Sequence, residues 1–204
     1  WMDVASLHNI GYPVASVNED GSFEISKPKD TGGIINRFTI SEQILYELGD
    51  PQCYISPDVC VDFTSFSLKE VSDDIVAVSG VKGAAPTDTY KVSVSYFDGY
   101  KASGQLTISA PYALEKAKKS AEIIWENLNR LNIKYDKKST EFLGLSSCHK
   151  SLATTPDVIN EIVLRLGVKS SDNRSVLRFT KELAPLITSG PPGITGFSEG
   201  RPRV

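Results

Sequence analysis

The chain has 204 residues, and its 22 basic and 25 acidic side chains give a net charge of -3 at pH 7. No basic run is longer than two residues, and no apolar run approaches the roughly 18 residues that span a bilayer. This composition argues against a nucleic-acid surface and a membrane-spanning helix, so we expect no nucleic-acid or membrane partner and a cytoplasmic location. Hydrophobic residues make up 40% of the chain, enough for the core of one large domain or two small ones.

The three cysteines, Cys53, Cys60 and Cys148, form no CxxC pair. We expect three small thiols, buried or half-buried, in a reducing compartment. A bridge between Cys53 and Cys60 is geometrically possible, but a core of this size does not need one. Their spacing to His8 and His149 does not indicate a zinc site, and the sequence predicts no metal centre.

The first half of the chain predicts short strands around one helix. Alternating apolar residues on both sides of a turn at 18–21 predict two strands within 13–26. Thr39–Glu42 fits a capping box that begins a helix, and Gly49 before Asp50-Pro51 fits its end. The elements predicted after it are a strand region at 53–66 and a hairpin formed by Leu68–Val71 and Ile75–Val81.

The second half predicts a hairpin followed by helices and further strands. Tyr90–Tyr96 alternates apolar and polar residues and Asp98-Gly99 is a strong two-residue turn, so we expect pairing with a return strand at 100–108. An apolar stripe at helical spacing predicts a long helix over about 112–131. The remaining predictions are strands at 142–145 and 161–169 and a helix over about 173–188 that Pro185 bends or shortens.

These elements predict an α+β fold, in which an antiparallel or mixed sheet built from hairpins carries about three helices packed on it. We expect residues 13–189 to form a single domain. Residues 1–12 are predicted to be a frayed N-terminal extension. Residues 190–204 are predicted to be a tail that is flexible or docked on a partner, because the Gly-Pro-Pro-Gly sequence at its start ends the regular pattern.

A loop before the first helix, rich in lysine and glycine, is the first candidate binding site. Thr31, Gly32 and Gly33 allow a backbone turn that exposes successive amides, which can hold a phosphate or a carboxylate. Lys27 and Lys29 would supply positive charge beside it. The spacing is that of neither a Walker loop nor a dinucleotide-binding loop, so a plain loop is the alternative interpretation.

Four carboxylates at and after the end of the first helix form the second candidate: Glu47, Asp50, Asp58 and Asp62. Clustered carboxylates can bind a divalent cation or act as an acid–base pair. Asp50 and Asp58 also stand beside prolines, where a carboxylate often bonds to nearby backbone, so a structural role is the alternative.

Two further positions are weaker candidates. His149 could act as a catalytic base only with a nucleophile supplied from elsewhere, since no nucleophile motif surrounds it. Gly190 and Gly193, on both sides of two prolines, either line a ligand cleft or stop the preceding helix.

Seven groups of residues, in this order, carry a family resemblance: Gly11–Val14, Lys27-Pro28 with Thr31–Gly33, Gln43–Glu47 with Asp50-Pro51, Tyr54 with Pro57–Val59, Val78–Gly83, Tyr96–Tyr100 and Ser189–Gly193. Together they resemble the AtuA-like family of acyclic terpene utilisation proteins over about residues 9–195. The chain is similar to the later part of that family's main domain. Ile194-Thr195 replaces further glycines expected at this end.

The resemblance implies an enzyme domain in the catabolism of acyl-CoA esters, acyclic terpenoids or branched-chain acids, with a hydratase- or lyase-type step. Under this interpretation the ligand-binding residues are Lys27, Thr31, Gly32, Gly33, Gly190 and Gly193, and the catalytic residues are Glu47, Asp50 and Asp58. The ligand would be an acyl-CoA or a carboxylate, and no cofactor is identified.

A non-catalytic assembly or regulatory module of a larger protein is the alternative function. Because the family's glycine-rich opening half is not part of this sequence, we expect the remainder of the AtuA-like domain or a partner subunit to dock on the chain. A homo-oligomer is also compatible with the sequence.

Overall fold

The computed structural model describes residues 1–196, which contain eleven strands in three sheets and four α-helices. Every strand pair is antiparallel, which confirms the predicted α+β fold. None of the helices within these residues is long and apolar enough to cross a membrane.

The chain divides into two compact units, Trp1–Val94 with two sheets and Ser95–Val204 with one, and each has its own apolar core. The boundary falls inside the 13–189 segment for which the sequence predicts a single domain. The number of domains stays a prediction, because a compact unit need not fold on its own.

The first unit is built from short elements: β1 (Val14–Val17), β2 (Phe23–Ser26), α1 (Arg37–Leu45), β3 (Tyr54–Ile55), β4 (Cys60–Asp62), β5 (Ser67–Ser72), β6 (Ile75–Ser79) and β7 (Lys82–Ala84). The two sheets have the orders β1-β2-β6-β5 and β3-β4-β7. Ile40 of α1 packs with Val76 and Val78 of β6 in a small core. Both predicted hairpins are confirmed, whereas the predicted strand region at 53–66 forms two short strands and the 3-10 turn Phe63–Ser65.

The start and the end of α1 differ from the prediction. The N-cap is Asn36, whose side-chain oxygen accepts from the amides of Phe38 at 2.9 Å and Thr39 at 3.0 Å. Thr39 is therefore the third residue of the helix, where its hydroxyl accepts from the Asn36 amide at 3.1 Å. Asparagine caps as well as threonine does, so the sequence contains two competing start signals. The helix ends at Leu45, four residues before Gly49, because Tyr46 is extended.

The second unit has a regular topology: β8 (Tyr100–Ser109), α2 (Ala113–Arg130), β9 (Lys137–Leu143), β10 (Glu161–Ser170), α3 (Asn173–Phe179), α4 (Pro185–Ser189) and β11 (Ile194–Gly196). Its sheet order is β11-β8-β10-β9. With α3 and α4 taken as one broken helix, this is the β-α-β-β-α-β arrangement called ferredoxin-like. The predicted helix over 173–188 is interrupted: α3 ends at Phe179, and Pro185, which was expected to bend or shorten the helix, begins α4.

One face of this sheet carries the main core of the unit. Alternate residues of β10, from Ile162 to Val168, are buried, and α2 and α3 both contact β8 and β10. The predicted apolar stripe of α2 is confirmed by the burial of Ala117, Ala121, Ile124 and Leu128. Ile124 and Leu128, which are fully buried, each contribute roughly 1.5–3 kcal/mol, and the smaller alanines contribute less. The intervening residues of β8, β9 and β10 lie on the opposite face of the sheet.

The predicted strand at Tyr90–Tyr96 does not form, which is the clearest error of the sequence analysis. Tyr90, Val92, Val94 and Tyr96 lie outside any strand and are each at least 70% exposed. All ten residues of β8 pair instead with β10, more than fifty residues further along the chain. Tertiary pairing has overridden a local hairpin signal, a known limit of strand propensity.

Backbone hydrogen bonds hold the described chain near both ends, from Gly32 and Gly33 to Asn9 and Ile10 and from β11 to β8. Leu7–Asn9 forms a 3-10 turn in the predicted N-terminal extension. In the predicted tail, Ile194 is buried where β11 pairs with β8. The rest of that tail, 197–204, lies outside the described residues.

Candidate functional site

All three ammonium donors of Lys27 are used by partners within the chain. Its Nζ donates to the carbonyl oxygens of Thr31 at 2.7 Å and Gly33 at 2.6 Å, and pairs with Asp74 Oδ2 at 3.1 Å. Only 17% of the Lys27 side chain is exposed. An ammonium group has three N–H donors, and these three partners use all of them. Through Asp74, the Lys27 side chain holds its loop to the β5–β6 turn.

The amides of the two glycines in this loop are also used inside the chain. Gly32 donates to the Asn9 carbonyl at 2.8 Å and Gly33 to the Ile10 carbonyl at 3.0 Å. A Cβ on Gly32 would lie 2.3 Å from the Ser6 amide nitrogen, so this position requires glycine. The Thr31 hydroxyl donates to the Pro28 carbonyl at 2.7 Å. The predicted anion loop is thus a packed junction with the N-terminal residues.

The predicted catalytic carboxylates lie in turns and are exposed. Asp50 accepts from the Gln52 amide at 2.9 Å, and Asp58 from the Ser56 hydroxyl at 3.1 Å. Glu47 has a left-handed backbone with φ of 59°. Between residues 1 and 196 no group of three or more His, Cys, Asp or Glu side chains is arranged to hold a metal ion.

Asp62, the fourth carboxylate, caps the 3-10 turn that follows β4. Its Oδ1 accepts from the Thr64 hydroxyl and, at 2.8 Å, from the Thr64 amide. These hydrogen bonds lower the pKa of Asp62 from its usual value, since they favour the charged form. A carboxyl group with a lowered pKa is a poor proton donor at neutral pH.

The remaining candidates lie in the second unit. Gly190 donates its amide to the Leu186 carbonyl at 2.9 Å and ends α4, while the Gly193 carbonyl accepts from the Ser109 amide at 3.0 Å and starts the pairing of β11. His149 is exposed and precedes a short 3-10 turn. These contacts give both glycines structural roles.

A positively charged row that the sequence analysis missed crosses the open face of the second unit's sheet. In the strand register, Lys169 of β10 lies opposite Lys137 of β9 on one side and Lys101 of β8 on the other. We call these three residues the lysine row. Neighbouring strands are about 4.8 Å apart, so the row spans roughly 10 Å.

A row of small residues lies beside the lysine row. Gly167 of β10 lies between Ser139 of β9 and Ser103 of β8. Because glycine has no side chain, backbone forms the floor between the two serines, and a Cβ there would lie 2.6 Å from Ser139 Oγ. A depression of about 640 Å³ covers both rows, lined by Lys101, Ala102, Ser103, Lys137, Lys138, Ser139, Gly167, Val168 and Lys169.

The charge of the lysine row is only partly compensated. Lys169, 26% exposed, forms an ion pair with Asp98. The hydrogen bond from Lys169, followed by its charge and that of Lys137, lowers the pKa of Asp98. Neither Lys101 nor Lys137 makes a salt bridge to any other described residue. Three positive charges thus face one negative charge.

The next position along the sheet limits this positive region. Arg165 Nε donates to Glu141 Oε2 at 2.6 Å across β10 and β9, and this contact lowers the pKa of Glu141. The two charges cancel, so the excess positive charge is confined to the Lys137 end of β9. Lysine ammonium groups and serine hydroxyls are donors that suit phosphate and carboxylate oxygens. The arrangement can therefore bind an anion.

No simple sequence signal marks the lysine row. The three lysines are separated by 36 and 32 residues. Lys101 and Lys169 occupy ordinary polar positions of alternating strands, and Lys137 begins a run of polar residues in β9. Only the register of β8, β9 and β10 brings them together. A correct prediction of β9 would have been the necessary first step, and the sequence analysis placed a strand only at 142–145.

Comparison with known proteins identifies the family. A family profile described as "Acyclic terpene utilisation family protein AtuA" matches residues 1–204, the whole chain. Comparison with curated proteins and with solved structures finds no significant match. The match covers the segments on which the resemblance in the sequence rests. The chain therefore belongs to the acyclic terpene utilisation family AtuA.

Proposed function

We propose that this chain binds an acyl-CoA thioester, or a related carboxylic acid, in the breakdown of acyclic terpenoids. The observation that carries the proposal is the lysine row, which lines the depression on the open face of the sheet. Terpenoid breakdown through CoA esters would supply a ligand with several phosphate groups. The lysine row would hold those phosphates.

The dimensions of the row suit a ligand with more than one anionic group. Lys137 and Lys101 stand at opposite ends of a span of roughly 10 Å, with Lys169 between them. A pyrophosphate and a separate phosphate on one molecule can contact different lysines, whereas a lone carboxylate contacts one or two. We therefore expect CoA esters to bind more tightly than the free acids.

The chemical step is a separate part of the proposal. Glu47, Asp50 and Asp58 are proposed as proton-transfer groups of a hydratase- or lyase-type reaction, and their exposure leaves them open to substrate. The loop at Lys27–Gly33 would then support the first unit rather than hold the ligand, since its donors are bonded within the chain.

An assembly or regulatory module of a larger protein is the second candidate function. The observation that favours it is the exposed apolar segment Tyr90–Phe97. Several exposed apolar side chains within one short segment often mark a surface that another protein covers. The partner would be the remainder of an AtuA-like domain or another subunit. That subunit could be a second copy of this chain.

Isothermal titration calorimetry with three ligands tests the binding proposal. The chain is titrated at low ionic strength with free CoA, with a branched acyl-CoA ester and with the matching free acid. We expect both CoA compounds to bind and the affinity to fall as salt is added, because the contacts are charged and exposed. Binding of the free acid alone would contradict the assignment of the lysine row to phosphates. Binding of none of the three would favour the assembly module.

A further inference from the structure

Two of the three cysteines lie in contact on the β3–β4 hairpin. The Sγ atoms of Cys53 and Cys60 are 2.7 Å apart, closer than two unbonded sulfur atoms normally approach but longer than an S–S bond. Cys53 is exposed and Cys60 is partly buried, and neither is in a disulfide. Cys148 belongs to the other unit and is also exposed.

The strand register explains why the two thiols meet. Tyr54 pairs with Val61 and Ile55 with Cys60, so Cys53 and Cys60 are diagonal neighbours on one face of the hairpin. Ser56 fixes the turn between the strands: its amide bonds to the Val59 carbonyl at 3.0 Å and its hydroxyl to the same oxygen at 2.8 Å. The fold therefore holds the sulfur atoms together, and a bond needs them to approach by only about 0.7 Å.

We propose that Cys53 and Cys60 are a redox-active dithiol that forms an intramolecular disulfide by exchange with small-molecule disulfides. In the first step the Cys53 thiolate attacks one sulfur of the small disulfide, which forms a mixed disulfide and releases one thiolate. In the second step the Cys60 thiolate attacks Cys53 Sγ and releases the second thiolate. The protein loses two electrons and two protons, and the small disulfide is reduced to two thiols.

The surroundings of the two thiols determine which attacks first. Contact with Cys53, then partial burial, raises the pKa of Cys60, and the charge of Asp50 adds to this effect. The raised pKa makes Cys60 a thiolate less often than an ordinary cysteine, and Cys53 is the more accessible sulfur. Cys53 is therefore the attacking residue and Cys60 the resolving residue.

The test is an exchange equilibrium with the whole chain and mixtures of reduced and oxidised glutathione. After alkylation of the remaining thiols, mass spectrometry locates the bond. We expect a Cys53–Cys60 disulfide, with an exchange constant at least about tenfold larger for the folded chain than for the chain in denaturant, because the fold holds the sulfurs together. Equal constants in the two conditions would overturn the proposal.

Three serine variants control for other reactions. Cys148→Ser should leave the constant unchanged. Cys53→Ser and Cys60→Ser should each stop at a mixed disulfide with glutathione, and Cys53→Ser should form it more slowly because Cys60 is the less accessible thiol. A bond from either residue to Cys148, or mixed disulfides as the end product in the unmodified chain, would contradict the inference. The unmodified chain alone decides the question if a variant does not fold.

Discussion

At the scale of single residues, Lys27 shows why a sequence motif does not identify a binding group. A lysine near two glycines is typical of a loop that binds an anion. Its partner Asp74 is 47 residues away, so the sequence cannot reveal that the charge is already paired. The sequence indicated that the loop at Lys27–Gly33 is unusual. The structure explains its composition by hydrogen bonds and packing within the chain. The polar atoms of this loop bond to each other and to the N-terminal residues.

Lys27→Met should destabilise the first unit. The change removes two hydrogen bonds to carbonyls and the partner of Asp74, so we expect a loss of about 1–3 kcal/mol in the free energy of unfolding. Lys29→Met, in the same loop and exposed, is the matched control and should change it by less than about 0.5 kcal/mol. Urea denaturation of both variants measures the difference. Equal stabilities would show that the Lys27 contacts do not hold the loop.

Asp74 should make the free energy of unfolding depend on pH in the acid range. A hydrogen bond from the Ile35 amide, then the Lys27 contact, lowers the pKa of Asp74 in the folded chain. A carboxyl group whose pKa is lower in the folded chain than in the unfolded chain stabilises the fold at pH values above the unfolded pKa of about 3.9. This stabilisation is lost as the pH falls through the folded pKa.

Asp74→Asn should therefore be less stable than the unmodified chain at pH 7, and the difference should shrink below about pH 4. Asparagine tolerates the left-handed backbone at this position, where φ is 57°, so the change tests charge rather than strain. Unfolding midpoints measured from pH 3 to pH 7 give the result. A difference that stays constant across this range would contradict it.

At the scale of elements, local patterns predicted what local contacts decide. The hairpins β1–β2 and β5–β6 and the apolar stripe of α2 depend on near neighbours, and they were predicted. The register of β8 with β10 and the position of β9 depend on distant residues, and they were missed. The Asp98-Gly99 pair does not form the predicted hairpin turn. Gly99 lies instead beside the end of β10: its φ is 84°, and a Cβ added to it would lie 2.9 Å from the Ser170 carbonyl oxygen.

Gly99→Ala should therefore destabilise the second unit by about 1–3 kcal/mol, since it combines a left-handed backbone with a close contact. Gly49→Ala is the matched control, because nothing lies within 4 Å of an added Cβ and its φ is not positive. That control should be neutral or slightly stabilising. Thermal unfolding followed by circular dichroism compares the two variants, and a similar effect of both would contradict the role of Gly99.

At the scale of the whole molecule, the lysine row depends on the topology of the second unit. The β-α-β-β-α-β order places β10 between β8 and β9, and so brings three distant lysines into line. The same order places the helices on one face and leaves these lysines on the other. The sequence predicted the fold class and the family, both of which are confirmed. It could not predict this face, because no short segment contains it.

The most direct test of the central claim measures the affinity for a branched acyl-CoA ester in two charge-reversal variants. Lys101→Glu combined with Lys137→Glu reverses the two lysines of the row that make no salt bridge among the described residues. Lys118→Glu combined with Lys134→Glu makes the same charge change at exposed positions that do not line the depression. If the ligand binds through the lysine row, the first variant should bind at least about tenfold more weakly, a loss of about 1.4 kcal/mol in the free energy of binding. The second variant should bind with about the same affinity as the unmodified chain. Equal losses in both, or no loss in either, would contradict the claim.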